Sequence, residues 1–438
     1  MRFGKGSPLM PSEQAIRQDW IPAFLHYGYR PWGDFRMEGP WNTEKATRRA
    51  ELARLSEAEL VDEGVKLMRS AFACREAGDH VIPLSGGLDS RAILGVLLDT
   101  VGRSQIRTVT FGTPGTLDFE IGRSVAKAAG VSWEGIDVRS VPWSTRALVE
   151  FTAQYDHPFD MLNTYLYAQL RRCLKPRSIV WGGFLGGPLG GGRYCPAQPA
   201  AEWTQACALF AADEGRLREM RLAPPGFDPA SVLPGVPFLP IDRLNYEDQL
   251  NFFLRQTYWM LPNNVLNGHI LRMPFLHTDW VMFMLCIPHA QRYHKAIYKR
   301  VLRTAFPRLF SIGIKTHRGL PVDAPAWAVA WRRLAIKLWK APRRIIPSWP
   351  LGADPMLNTM DFESAIRARP DLRAVVDENI GDLARRGIID WLDVTRVWAE
   401  HRRGRANHTD ALLLLLSLEL FLKSAPQRAA RAQGAGAA

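Results

Sequence analysis

The sequence predicts an α/β protein: a parallel sheet of about five strands with helices on both faces, followed by added C-terminal helices. Three observations lead to this. Short apolar segments alternate with longer helical ones between residues 80 and 181, several of those segments run straight into glycines, and beyond about residue 200 the pattern becomes predominantly helical. Strands separated by helices require crossover connections, which make neighbouring strands parallel and cover the sheet on both sides.

The elements follow in order. Residues 11–50 are rich in tryptophan, proline and charge. Residues 51–78 carry apolar positions spaced by threes and fours, namely Leu52, Leu55, Leu60, Val61, Val65, Leu67 and Met68, so a helix delivers the chain to the first strand. That strand is His80–Leu84; Gly86 and Gly87 follow at once, and Leu88–Leu98 reads as helix. A second strand, Arg107–Phe111, ends in Gly112–Gly115, and a helix from Asp118 to Ala129 leads to a third strand near Glu134–Val138. One helical stretch, Thr145–Leu174, reaches a fourth strand, Ser178–Trp181, which runs into Gly182–Gly192. The later helices are interrupted by Pro224–Pro240 and Pro342–Pro355. Ala411–Leu422 is the longest apolar run, broken by Ser417 and Glu419, and is expected as a buried core helix. From Ala425 the chain is small, basic and Gly/Ala-rich, the composition of a flexible tail.

With 438 residues, 47% apolar and 23% charged, the chain is long enough for two or three packed units. Its five cysteines form no C-x-x-C pair and lack zinc-cluster spacing, which argues against a metal-thiolate site or a disulfide framework and fits reduced thiols in the cytoplasm. The N-terminus has no apolar signal core, and no run approaches the roughly 18 residues of a membrane span. The net charge of +13 would attract polyphosphate, anionic lipid or nucleic acid, but the arginines are widely spread and nucleic acid is not the expected partner. The densest patch, Trp331–Arg344, sets Arg332, Arg333, Lys337, Lys340, Arg343 and Arg344 among apolar residues. A surface helix with one face packed is the expectation there, with an anionic membrane or a partner as the alternative.

The chemistry centres on Ser85-Gly86-Gly87-Leu88-Asp89-Ser90. It lacks the Gly-Lys-Ser/Thr ending of a γ-phosphate loop and has the pattern of a pyrophosphate loop. Two glycines allow close backbone approach, the helix start aims free N–H groups at an anion, and Ser85 and Ser90 add hydroxyl donors. Asp89 suits such a place only with Mg²⁺ between it and phosphate. A Ser-Gly-Gly turn that merely joins strand to helix is the bland reading, and the coincidence of hexapeptide, strand and helix weighs against it.

Beyond the loop, the sequence resembles the synthetase domain of the asparagine synthetase B family, which includes β-lactam synthetases and lasso-peptide cyclases. Phe111-Gly112, with Asp118 beyond, is similar to the family segment that holds adenosine. Tyr155-Asp156-His157-Pro158-Phe159-Asp160, Arg272-Met273-Pro274-Phe275-Leu276-His277, Lys299 to Arg303 and the Leu412–Leu422 helix each resemble family segments, over roughly residues 20–425. The resemblance implies an adenine nucleotide α-hydrolase-like sheet of the HUP type. It also implies a connector and helix over 1–70, a pyrophosphate-loop synthetase domain over 71–330, a helical part over 331–425 and a tail over 426–438. ATP and pyrophosphate contacts would come from Leu84, Ser85, Gly86, Gly87, Asp89, Ser90, Phe111, Gly112, Gly182 and Gly183. Asp89 would hold Mg²⁺, Lys315 and Lys299 would be catalytic, and Asp118, Asp156, Asp160 and Arg272 would lie on the substrate side. For Lys315 the plain alternative is a surface lysine; for Asp156 and Asp160 it is helix capping beside Pro158.

The chain departs from that family at charged positions. Where the family's second metal-binding aspartate is expected stand Gly186 and Gly187, a catalytic glutamate falls at Ile270, and the closing aspartate of the Arg272 segment is His277. His157, His269 and His277 follow no metal-ligand spacing. Pro22–Trp41 resembles the connector after the family's glutaminase domain; Arg2 stands where that domain needs a nucleophilic cysteine, so ammonia is expected from elsewhere, such as a separate glutaminase or biosynthetic partner protein. The activity implied is an amide-forming ligase of the asparagine synthase type, with ATP and Mg²⁺ as cofactors and a small carboxylate and an amine or ammonia as substrates. Its rivals are a tRNA-modifying ligase with the same loop and a non-catalytic, nucleotide-binding partner subunit.

Overall fold

In the computed structural model of the protein the described residues are 20–29, 45–192, 195–215, 217, 220–261, 266, 269–345 and 353–436. Much of the proposed N-terminal connector, residues 1–19 and 30–44, lies outside them.

Five strands, β1 (His80–Pro83), β2 (Ile106–Gly112), β3 (Ser132–Asp137), β4 (Ile179–Trp181) and β5 (Ile270–Arg272), form one sheet in the order β3-β2-β1-β4-β5. Every pairing is parallel, with His80 opposite both Ile106 and Ile179. The expected α/β class, with helices on both faces and further helices after the sheet, is the observed one. Alternate residues feed opposite faces, as a pleat of period two demands. Ile82, Ile106, Ile179 and Trp181 join one core, while Val81, Val109 and Val180 join another with Leu170 and Leu266.

The first face is covered by α1 (Glu57–Ala71), α2 (Asp89–Thr100) and α3 (Leu117–Ala129), all contributing to the same apolar cluster. Ser56 and Glu59 close a reciprocal cap on α1, each side chain accepting from the other's backbone N–H. The single helical stretch expected over Thr145–Leu174 is instead broken into α4 (Thr145–Thr152), α5 (Met161–Ala168) and a short 3-10 turn, Gln169–Cys173. The break has a local cause. Pro158 cannot donate to a helical ladder, and Asp160 accepts from the Asn163 N–H at 3.2 Å to start α5 afresh.

Downstream lie α6 (Thr278–Cys286), α7 (Ala296–Ala305), α8 (Ala326–Ile345), α9 (Pro370–Arg386), α10 (Val394–Arg402), α11 (Thr409–Lys423) and α12 (Ala425–Gly436). α6 and α7 pack on the sheet core. α9, α10 and α11 build a second core with α4 and α5, centred on Leu412, Leu414, Leu415, Leu416 and Leu418, all fully buried. The expected core helix is therefore there. The expected flexible tail is helical instead, because alanine is a strong helix former and Arg428 packs over the Phe421 ring, 3.6 Å from its centroid.

Candidate nucleotide site

In an open parallel sheet the natural crevice lies outside the carboxyl ends of the two strands where the order reverses. Here the reversal falls between β1 and β4. The glycine-bearing segments after exactly those strands, Ser85–Ser90 and Gly182–Gly192, meet there: a Cβ built on Gly183 would lie 3.2 Å from Asp89 Cβ and 3.4 Å from Ser90 N. A surface hollow elsewhere, lined among others by Ser144, Arg146, Glu150, Glu378, Asp382 and Lys423, has its acids already paired, Glu150 with Arg146 and the other two with Lys423.

The loop amides are held by side chains. Ser85 N–H donates to Ser90 Oγ at 3.2 Å, Gly87 N–H to Ser85 Oγ at 3.2 Å, and Gly86 N–H to Asp118 Oδ1 at 3.1 Å. Asp118, in the first turn of α3, also receives the Lys315 ammonium on its other oxygen, and Lys315 donates further to the Leu357 carbonyl at 2.9 Å and to Asn358. Both partners of this ion pair are largely buried, with side chains 12% and 17% exposed. Lys315 is thus held against the loop and Asp118 rather than solvated at the surface.

Its position is built from two directions. Arg91, one residue past the loop and fully buried, donates to the carbonyls of Leu309, Ile312 and Gly313 at 3.1, 2.9 and 3.0 Å. Burial lowers its pKa to about 10, still leaving it charged at neutral pH. The clamped segment then turns sharply at Gly313, where a Cβ would stand 1.9 Å from the Gly319 carbonyl oxygen, and Lys315 N–H donates to the Gly86 carbonyl at 2.9 Å. A second segment, 353–360, closes over the end of β2: Leu117 N–H donates to Pro355 O at 2.8 Å and Thr113 Oγ to Thr359 O at 2.8 Å.

Asp89 faces the Gly182–Gly192 segment. Its Oδ1 accepts from the fully buried Tyr298 hydroxyl at 2.7 Å, and glycines form its roof. A Cβ on Gly186 would come within 2.6 Å of Asp89 Cγ, and one on Gly187 within 3.5 Å of Asp89 Oδ2 and 3.3 Å of Lys295 Nζ. Desolvation pushes the Asp89 carboxyl upward, against the pull of the Lys295 charge and the Tyr298 hydrogen bond. Lys295 reaches this place because His294 and Lys295 are both left-handed, with φ of 54° and 62°. A non-glycine pair in that region is strained and persists only where the surroundings impose it.

These residues do not form an all-protein Mg²⁺ cage, whereas an ion in a nucleotide site is held by one or two carboxylates together with the phosphates. Only one carboxylate is offered, one of its oxygens is taken by Tyr298, and the charge beside it is an ammonium. Among the described residues no group of three His, Cys, Asp or Glu side chains gathers to hold a metal. Asp89, the residue expected to hold Mg²⁺, stands in a Tyr298–Asp89–Lys295 cluster under the glycine roof.

The other expected residues divide. Leu84, the residue after β1, has its N–H on Val109 O at 2.8 Å and its carbonyl accepting from Thr110 Oγ at 2.8 Å, so it shapes the strand exit. Gly182 N–H donates to Arg272 O at 2.8 Å. Phe111 and Gly112 stand at the carboxyl end of β2, with the Phe111 ring edge-on to Tyr167 and Gly112 beneath Asn358. Lys299 is half-buried one turn after Lys295, and its pKa is lowered by burial and then by the Lys295 charge. Arg272 points elsewhere, into an exposed 2.8 Å pair with Glu76 upstream of β1. Asp160 is a helix cap, and Asp156 pairs with Arg431 of α12, as the capping alternative had it for the first and neither expectation for the second. Lys295, Tyr298 and Asn358 were missed, since nothing in local sequence marks a left-handed lysine or a residue brought in by a distant segment.

A scan of protein-family models finds no match to this chain, and a search of curated proteins finds none either.

Proposed function

We propose that this crevice binds ATP and that the protein is an amide-forming ligase, activating a small carboxylate as an acyl-adenylate and passing the acyl group to an amine or ammonia. The observation that carries the reading is the meeting, at the strand-order reversal, of the Ser85–Ser90 loop with Lys315, whose backbone N–H bonds the Gly86 carbonyl and whose ammonium pairs with the Asp118 carboxylate that holds the Gly86 amide.

In the first step a carboxylate oxygen attacks the α-phosphorus, the α–β bridging P–O bond breaks, and pyrophosphate leaves with the electron pair. In the second the amine nitrogen attacks the acyl carbon, AMP departs, and the amine proton goes to solvent. The polyphosphate supplies a stronger anion than Asp118 for the Gly86 amide and for Lys315, so it would displace that carboxylate; Ser85 and Ser90 hydroxyls and the start of α2 add donors. Lys315 and Lys295 flank the loop from opposite sides and neutralise charge that develops on the leaving group. Asp89 would hold Mg²⁺ together with the phosphates of bound ATP, and the ion would neutralise charge on the departing pyrophosphate.

The reading is tested by incubating the protein with ATP, a panel of carboxylic acids carrying ¹⁸O, and ammonium or amines. Formation of AMP and pyrophosphate, with ¹⁸O transferred from one acid into AMP, supports it; ADP and orthophosphate as products would refute it. The Asp89 cluster favours one second reading, a nucleotide-binding partner subunit without turnover. Tight ATP binding by calorimetry, with no AMP formed from any acid, would be its signature.

A further inference from the structure

We propose that α8 is an interfacial helix that docks the protein on an anionic lipid surface. Among the described residues nine large apolar side chains are exposed, and five of them, Trp327, Trp331, Leu334, Leu338 and Trp339, sit on this one helix. Trp327, Trp331, Leu334 and Leu338 recur at four, three and four residues, so they form a single stripe, and Trp327, Trp331 and Leu338 are 74%, 69% and 63% exposed. The helix is fixed by its opposite edge, where Val329 and Ile336 are half-buried, Lys340 pairs with Asp354 and Arg332 reaches the Arg318 carbonyl. The sequence led us to expect its apolar face to be packed; the structure turns that face outward.

The charge on the helix selects the occupant. Its 20 residues, AWAVAWRRLAIKLWKAPRRI, hold six cations and no acid. A second copy of the chain is disfavoured, because pairing two such helices stripe to stripe would bring like charges together. A nucleic acid would meet the cations but leave two tryptophans and two leucines against water. An anionic bilayer satisfies both halves: tryptophan and leucine enter the boundary between headgroups and acyl chains, while exposed Arg333 and Lys337 beside the stripe meet lipid phosphate. At about 1.5 Å per residue the helix lies some 30 Å along the surface. No described helix is long and apolar enough to cross a membrane, so the contact is one of lying on the bilayer.

The experiment is co-sedimentation of the full chain with vesicles of phosphatidylcholine alone and of phosphatidylcholine with an equal amount of phosphatidylglycerol. Binding to the mixed vesicles is expected, at least tenfold weaker on neutral vesicles and in 0.5 M NaCl. W327S/W331S/L338S should abolish it with melting temperature unchanged, since those side chains are exposed, and R333Q/K337Q should weaken it roughly tenfold or more. In mixed vesicles carrying bromine on the acyl chains, tryptophan quenching should fall in W331F relative to the unmodified chain. Absence of binding, equal binding to both vesicles, or binding indifferent to the triple substitution would each overturn the proposal. So would sedimentation velocity showing a dimer that the triple substitution dissociates.

Discussion

The carboxylate of Asp118 stands between the Gly86 amide and the Lys315 ammonium, accepting from both, so this one acid links the Ser85–Ser90 loop to a residue 197 positions beyond itself. Removing the ammonium leaves a mostly buried acid facing a single amide, which costs about 1–3 kcal/mol of stability. Under the proposed function it also removes a charge aimed at the leaving group. Lys315→Met is therefore expected to lower the rate of pyrophosphate release by roughly 10²–10³, with a modest fall in melting temperature. A variant that kept its turnover while losing stability would make Lys315 structural only.

The glycine roof over Asp89 gives a sharper steric expectation. A methyl at position 186 would stand 2.6 Å from Asp89 Cγ and 2.9 Å from the Phe275 ring, neither of which is the free end of a flexible chain. Gly186→Ala should cost about 1–3 kcal/mol by overpacking. Gly235 has nothing within 4 Å of an added Cβ and no left-handed backbone, so Gly235→Ala should be neutral within about 0.5 kcal/mol. Paired thermal melts compare the two, and equal effects would contradict the crowding described here.

What sequence could tell about this protein follows the range of the interactions involved. β1, its loop and α2 are read correctly because apolar burial, glycine turn and helix start are all encoded within twenty residues. The cationic side of the crevice is not, because Lys295 owes its place to a left-handed kink held by packing, and Lys315 to the three carbonyls that Arg91 clamps. Asp89 shows the same limit from the other direction: its loop position points to a metal ligand, but gives no sign of Tyr298 and Lys295 beside it, which come from a helix and the turn before it more than two hundred residues away. For α8 the sequence shows an amphipathic pattern but not whether anything covers it, since that is decided by the surfaces around it.

Arg292 and Asp248 form the most deeply buried ion pair in the region, bidentate at 2.5 and 2.9 Å with both side chains no more than 3% exposed. Arg292 also donates to the Leu189 carbonyl at 3.2 Å, and so ties the glycine segment to the turn that presents Lys295. Arg292→Met strands the Asp248 charge and is expected to destabilise by about 3–5 kcal/mol, whereas Arg292→Met with Asp248→Leu should recover most of the loss. Denaturant unfolding of the single and double variants measures this. A double variant no more stable than the single would show that the pair's hydrogen bonds, from Arg292 to the Leu189 carbonyl and from the Asn245 side-chain amide to Asp248 at 2.9 Å, hold the segment rather than the charge balance.

His401, in α10, sets the acid limit of the helical core. It is fully buried, its ring lies nearly parallel to Trp398, its Nδ1 accepts from the His408 N–H at 3.1 Å, and burial followed by the Arg367 charge lowers its pKa to about 4. In the unfolded chain the same imidazole titrates near its ordinary value of about 6.5. Between those two values the unfolded state binds a proton that the folded state does not, so stability falls as pH falls from about 6.5 and the loss is complete below about 4. The folded state resists protonation because the charge would be desolvated and the Nδ1 acceptor lost. His401→Gln keeps an acceptor for the His408 amide and cannot titrate. Its unfolding free energy should decline less than that of the unmodified protein between pH 7 and pH 4.5, by roughly 1–3 kcal/mol. Parallel declines in the two proteins would mean that other groups, such as Glu400 in its 3.0 Å contact with His408, govern the acid response.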